Sequence, residues 1–352
     1  MIPATLSRVR RPLCLGIGGG GDVVGALATA EHCRLEHGAQ PVLGGVSWER
    51  RPIDPEPGPR AAAEIEGARP LASGAPDAGA GDDPPDARHL GSGAPASTGE
   101  GPPRPGPLGP AVLAASAATR VRFSGVRFAE SRMAGLLGEE TVLVDVNHGP
   151  AAIAAGLREA AAELGCDLVV FADVGGDVLA HGDEPGLASP LCDAVMLAAA
   201  VRLAEAPGAP KILGAVFGIG CDGELTPDEV LERLDEMDRD GGLLGRLPID
   251  EPVARRLAAA VDAVPTEASA LALRAYRGES GRVEIRRGRR AVDLRPLAAA
   301  TVFFDPLVAI RGPARLAAAV RDATDLEAAN EVLHRLGVRT ELDYEREMRA
   351  SV

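Results

Sequence analysis

Four stretches of this 352-residue chain bring glycine and carboxylates together. They are Gly18-Gly19-Gly20-Gly21-Asp22, Asp145-Val146-Asn147-His148-Gly149, Asp173-Val174-Gly175-Gly176-Asp177 and Gly218-Ile219-Gly220-Cys221-Asp222-Gly223-Glu224. Carboxylates set this closely can bind a divalent cation, hold ribose hydroxyls, or divide into general acid and general base when burial splits their pKa values. Glycines beside them let the backbone approach a ligand. Asp173, Asp177 and Asp222, with the nearby His181, are the candidate catalytic residues. Asp22, Asp173 and Asp177 are candidate ligands for Mg²⁺. The expected ligand-contacting set is Gly18, Gly19, Gly20, Gly21, Asp22, Asp145, His148, Gly175, Gly176 and Glu224.

A proline-rich loop, residues 47–60, adds Trp48, Glu49, Arg50, Arg51 and Arg60. Its arginines are candidate anion clamps, because guanidinium suits bidentate contact with phosphate or carboxylate. Plain structural roles stand beside these. Asp22 in a first helical turn interacts favourably with the helix dipole. Glu224 precedes a capping box, and Asp193 either lines the site or caps its helix. Cys221 has no histidine at a spacing that marks a nucleophile.

The elements that must position these residues alternate. Residues 11–17 read as a short strand and Asp22 to Gly38 as a helix with a glycine stop. Strands follow at residues 41–46, 141–146, 167–172 and 211–217, with helices at 124–137, 151–164, 189–206 and 226–237. Strands that are apolar throughout and alternate with helices indicate a parallel sheet covered on both faces. In such a sheet all C-terminal strand ends lie on one rim, and ligands bind in the crevice outside it. The expected fold is therefore α/β: a mostly parallel, Rossmann-like three-layer sheet with a C-terminal α+β extension. Residues 1–240 would form the core. Residues 241–352 would add helices near 251–263, 266–276 and 325–336, a hairpin about Gly288 and a strand at 301–304, packed on the core. Residues 71–110, dominated by Gly, Ala, Pro, Asp and Ser, read as a disordered insertion in the core.

The net charge of -14 argues against a nucleic-acid partner, since phosphate affinity comes mostly from clustered Lys and Arg. Lys211 is the only lysine, and with the abundance of Ala, Gly and Pro this reads as coding bias. No apolar run approaches the ~18 residues of a membrane span. The five scattered cysteines show no metal or redox spacing, which fits a reduced cytoplasmic setting. The chain is compatible with a homo-oligomer.

Gly16, Gly18 and Gly21 fit the G-x-G-x-x-G dinucleotide spacing, but a glycine run this dense makes some match nearly unavoidable. Three functions are open. The leading one is an enzyme acting on a nucleotide- or sugar-phosphate-like metabolite, with glycosyl or phosphoryl hydrolysis or transfer at the Gly/Asp-rich crevice. The second is an NAD(P)-dependent oxidoreductase using the same loop. The third is a non-catalytic ligand-binding or accessory protein of a biosynthetic pathway. Across Gly18–Gly25, Gly44–Arg50, Asp54–Gly58, Asp173–Ala180, Ser189–Leu191 and Gly220–Leu225 the chain resembles an uncharacterised archaeal and bacterial family, one of the domains of unknown function. The resemblance implies a single α/β unit over nearly the whole chain outside 71–110, and no reaction.

Overall fold

The structure is a computed structural model that describes residues 5–71 and 109–351. The chain forms strands β1 (Pro12–Gly16), β2 (Val42–Val46), β3 (Ile65–Pro70), β4 (Val112–Val121), β5 (Thr141–Val144), β6 (Leu168–Val174), β7 (Lys211–Phe217), β8 (Leu243–Pro248), β9 (Gly281–Ile285), β10 (Arg290–Leu294) and β11 (Ala300–Phe304). Nine of them make one sheet in the order β3-β4-β5-β2-β1-β6-β7-β11-β8, and β9 and β10 form a separate hairpin. The five central strands, β5-β2-β1-β6-β7, are parallel. Strand β4 runs antiparallel to β5 on one side, and β11 antiparallel to β7 on the other. The fold is thus α/β with a mostly parallel sheet, as the alternating apolar runs indicate.

Strands β1, β2 and β6 are buried along their whole length, so helices must cover both faces. One face carries α1 (Asp22–His37), α2 (Ala129–Leu137), α6 (Glu251–Ala263) and α7 (Glu267–Tyr276). The other carries α3 (Pro150–Leu164), α4 (Pro190–Glu205), α9 (Arg315–Val320) and α10 (Leu326–Arg335). Helix α5 (Pro227–Arg239) packs beside β8, the short α8 (Pro306–Ala309) lies against α4, and α11 (Glu341–Ala350) closes the chain. Helix α4 is apolar and buried nearly all round, so its first-turn carboxylate, Asp193, is carried into the interior.

Several local signals act as their chemistry requires. Thr226 and Glu229 form a reciprocal capping box at α5, with Pro227 at the first position. Asp325 caps α10 by accepting from the Ala328 N–H at 2.8 Å. Gly38 closes α1 in the left-handed conformation. A Cβ on Gly25 would lie 2.5 Å from Val174 Cγ2 and 2.9 Å from Phe217 Cδ1, so this glycine lets α1 sit close on β6 and β7.

Other expectations need correction. The helix expected from 124 begins at Ala129, after a turn. Strands β3, β4 and β8 were not anticipated: β4 is alanine-rich and β8 carries Gly245 and Pro248, residues of low strand propensity. Strands β8 and β11, from the C-terminal part of the chain, extend the main sheet. The expected insertion lies outside the described residues apart from its ends, where Leu71 is buried in the core. Among the described residues no helix is long and apolar enough to cross a membrane.

Candidate active site

The chain leaves β1 toward β2 on one side, and enters β6 and β7 on the other. The strand order therefore reverses between β1 and β6, and it is outside the carboxyl ends at such a point that open α/β sheets hold their ligands. Asp22 follows β1 and Asp173 lies near the end of β6. Asp177 follows β6 in a single helical turn, Asp222 follows β7, and Asp193 enters from the first turn of α4. Asp173, Asp177, Asp193 and Asp222 are buried, at 1%, 5%, 2% and 6% exposure. Asp22 stays partly open, as do Gly18, Gly20 and Gly21, so the glycine loop is the solvent side of the crevice.

The carboxylates fall into two groups. Oxygens of Asp22, Asp173 and Asp193 lie within 4.8 Å of one another, as do those of Asp177, Asp222 and Glu224. The sequence grouped Asp177 with Asp22 and Asp173; the structure sets Asp193 in that position and Asp177 in the second group. Asp193 was legible only as a first-turn aspartate with two open roles. What decides between them is the burial of its helix.

Burial and mutual repulsion push these groups up. Asp173 is raised well above the usual aspartate value by burial, then by Asp193, Asp22 and Asp222. Asp177 and Asp193 are raised by burial first, and then by neighbouring carboxylates led by Asp173 and Asp177 respectively. Burial lifts Asp222 to about 8, helped by Glu224 and opposed by Arg286 and Arg290. Asp22 is lifted to about 7 by burial, while the Gly18 amide and Arg50 pull it back.

The glycine loop is shaped by these side chains. The Gly18 N–H donates to Asp22 Oδ2 at 2.8 Å, and the Gly20 N–H donates to the Trp48 carbonyl at 2.9 Å. Gly19 and Gly20 have φ of 86° and 55°, which glycine alone adopts without strain. Gly175 has φ of 125°, and a Cβ there would fall 2.1 Å from Asp222 Oδ1; Gly176, at 122°, faces Val230.

The loop after β2 braces the site. Trp48 is fully buried, donates from Nε1 to Glu345 Oε2 at 3.1 Å, and carries Arg50 over its ring at 4.1 Å. Arg50 donates to the Gly18 carbonyl and pairs with Glu341 at 3.3 Å and Glu345 at 4.0 Å. Arg60 pairs with Asp54 at 2.7 Å, and Arg51 donates to the Pro55 carbonyl at 2.6 Å. Each of these guanidiniums, expected as an anion clamp, has a partner among the chain's own oxygens, while Arg50 Nη1 and Arg51 Nε remain without a hydrogen bond among the described residues. Trp48 stacks under Arg50 and helps to position it.

Asp145 is fully buried and accepts from Asn147 and from the Ala62 N–H at 2.9 Å, so it ties loops together. His148 Nε2 lies 3.9 Å from Asp145, and its backbone bridges to Asp325. His181 pairs with Glu236 at 3.5 Å, on the side of α5, and burial and Arg233 lower its pKa. Glu224 accepts from the Ala188 and Ser189 amides at 2.7 Å and 2.8 Å and from Ser189 Oγ at 2.6 Å. Arg290 and Arg286 stand 3.5 Å and 3.7 Å from it. Glu224 thus belongs to the second group and also holds the entry to α4. Burial pushes the Cys221 thiol up, which removes the thiolate a nucleophile needs.

Glu49, one of the expected site residues, lies beside a carboxyl that escaped the sequence reading, Glu130. Glu49 and Glu130 are buried at 4% and 2% exposure, and Glu130 Oε1 sits where a Cβ of Gly45 would be. Glu130 comes from α2, and only the fold brings it under β2. Glu49 accepts from the Ala129 N–H, yet burial raises its pKa from 4.5 to about 7. The unfolded chain releases this proton from near pH 4.5 upward while the folded chain keeps it until about 7. Glu49 thus destabilises the fold as pH rises through that window, and the loss levels off above it. Glu49→Gln keeps the acceptor for Ala129. It is expected to stabilise by on the order of 2 kcal/mol at pH ~8 and by nearly nothing at pH ~4. Urea unfolding at the two pH values measures this; equal gains at both would refute it.

No curated protein and no solved structure matches the chain. The family described as "Protein of unknown function (DUF1152)" matches residues 13–85 and 107–349, nearly the whole length, with the glycine loop and every aspartate of the crevice inside the matched segments. The chain belongs to this family of proteins of unknown function, DUF1152.

Proposed function

We propose that the protein is an enzyme acting on a nucleotide- or sugar-phosphate-like metabolite, which it cleaves or transfers at a phosphoryl or glycosyl bond. The observation that carries this reading is the convergence of Asp22, Asp173, Asp177, Asp193 and Asp222 at the point where the strand order reverses. Buried like charges destabilise a fold, and a scaffold has no use for them. In a crevice they are suited to acid–base work and to countering a cation. A carboxyl raised to about 8, as at Asp222, stays protonated near neutral pH and can deliver a proton to a leaving oxygen. Asp22 stands on the open, glycine-loop side of these carboxylates.

The nicotinamide alternative has less support. In a dinucleotide loop the backbone amides at the first helix face the pyrophosphate. Here the Gly18 amide is taken by Asp22, whose own charge repels an anion unless a cation lies between. Phosphate release from nucleoside diphosphates, nucleoside monophosphates and sugar phosphates, with and without MgCl₂, tests the reading, with chromatography of the same mixtures for released base or sugar. Cation-dependent cleavage of one member is expected. If every member survives intact, the reading fails.

A further inference from the structure

We propose that Asp22, Asp173 and Asp193 together form a binding site for one hard divalent cation of the Mg²⁺ or Mn²⁺ class, with the space in front of Gly18 as its seat. The inference rests on the reading of this crevice as the active site, but it is argued from the geometry of the three residues. One oxygen of each lies within 4.8 Å of the other two, a spacing a single ion can bridge. All three ligand atoms are carboxylate oxygens, the donors that hard cations prefer over nitrogen or sulfur ligands.

A second observation points to a ligand here. Asp193 is 2% exposed, yet its Oδ1 has no hydrogen-bond partner among the described residues. A buried carboxylate oxygen left without a donor is costly, and few native side chains are kept so. Its direction is fixed by Gly18: a Cβ built there would lie 2.6 Å from Asp22 Oδ2, 2.9 Å from Asp193 Oδ2 and 3.3 Å from Asp193 Oδ1. The missing side chain leaves the volume that these oxygens surround. The nearest guanidinium does not fill it, since Arg50 is held by the Gly18 carbonyl, Glu341 and Glu345.

The second group differs. Glu224 already accepts from two amides and a hydroxyl, and Arg286 and Arg290 stand beside it. Asp222 Oδ1 also lacks a hydrogen-bond partner among the described residues, but the two arginines beside Glu224 already bring positive charge to this group, so Asp177 and Asp222 are left for proton handling and the cation goes to the first group, where Asp193 faces the gap at Gly18. A cation seated there also solves the problem posed by Asp22, because it presents positive charge to a phosphate at the mouth of the glycine loop.

Isothermal titration of the full chain with MnCl₂ near neutral pH is expected to show one cation bound per chain. D193N and G18A should each weaken it about tenfold or more, with circular dichroism spectra unchanged. D22N carries the same expectation should either variant lose its spectrum. Wild-type protein that binds no Mn²⁺, or D193N and D22N that bind it as tightly as wild type, overturns the site. The two proposals fail separately. Mn²⁺ bound at these residues with no cleavage of any phosphorylated metabolite supports the site and overturns the function. Cleavage that persists in excess chelator overturns the site and leaves the function standing.

Discussion

Replacing Asp173 by asparagine is expected to abolish turnover and, in the same protein, to raise the midpoint of thermal unfolding. Asp173 sits at 1% exposure among Asp22, Asp193 and Asp222, and burial with these neighbours holds its carboxyl well above the usual range. Asparagine keeps the shape and the oxygen that accepts from the Val178 N–H at 3.4 Å. What it removes is an ionisable carboxyl that the proposed cleavage would use and the fold does not need. Loss of a positioned acid, base or cation ligand lowers rates by about 10²- to 10⁴-fold. The stability change has the opposite sign. The unfolded chain ionises Asp173 above the ordinary value of 3.8, while the folded chain resists ionisation, so wild-type stability falls as pH rises through that region. The asparagine variant escapes this loss, and its gain grows with pH from about 4 upward. Asp177→Asn should behave in the same way, for burial and Asp173 raise it likewise. Phosphate-release assays and differential scanning calorimetry over a pH series read both effects. Full turnover in either variant sinks the catalytic assignment. Lost turnover with a lower midpoint would make Asp173 part of the scaffold.

Glu341→Ala is expected to be among the most destabilising single changes in the chain. Glu341 is buried at 5% exposure on α11, far in sequence from everything it touches. Its Oε2 accepts from the Leu191 N–H at 3.0 Å and its Oε1 from the Cys192 N–H at 2.9 Å. It therefore occupies the positive end of α4 as a built-in anion. It also pairs with Arg50 at 3.3 Å, in the layer directly behind Gly18. Alanine would leave two buried amides without acceptors and Arg50 with a distant Glu345. Breaking one side of a buried ion pair costs about 3–5 kcal/mol. Glu341→Gln keeps acceptors without the charge, and its loss should be about half as large. Urea unfolding monitored by circular dichroism gives the comparison. A loss under about 1 kcal/mol in Glu341→Ala would show that α11 does not brace the site. Arg50 and Trp48 then form the link from the C-terminal helix to the glycine loop, which explains why a loop of prolines holds a fully buried tryptophan.

Much of this organisation was legible in the residues. Short, β-branched apolar runs such as Leu168–Phe171, bounded by turn residues, mark central strands, because strand periodicity vanishes when both faces are buried. Gly38, Thr226 and Asp325 mark helix ends through local hydrogen bonding, which needs no distant partner. Edge strands β3, β4 and β8 were not legible: their pairing is long-range, and alanine and glycine carry little strand signal.

By itself, the sequence determined that glycine and aspartate stand at the ends of four of the five central strands, β1, β5, β6 and β7, and that a parallel sheet gathers those ends on one rim. That follows from chain direction alone. Only the tertiary structure decided which carboxylates share a space. It set Asp193 beside Asp22 and Asp173, set Asp177 beside Asp222 and Glu224, brought Glu130 under β2, and turned the arginines of the 47–60 loop toward Gly18, Glu341 and Asp54. The reason is physical. Strand order, helix burial and the register of α4 against the sheet are set by packing between whole elements, some of them, such as β1 and β6, more than a hundred residues apart. No local spacing encodes the distance between two oxygens.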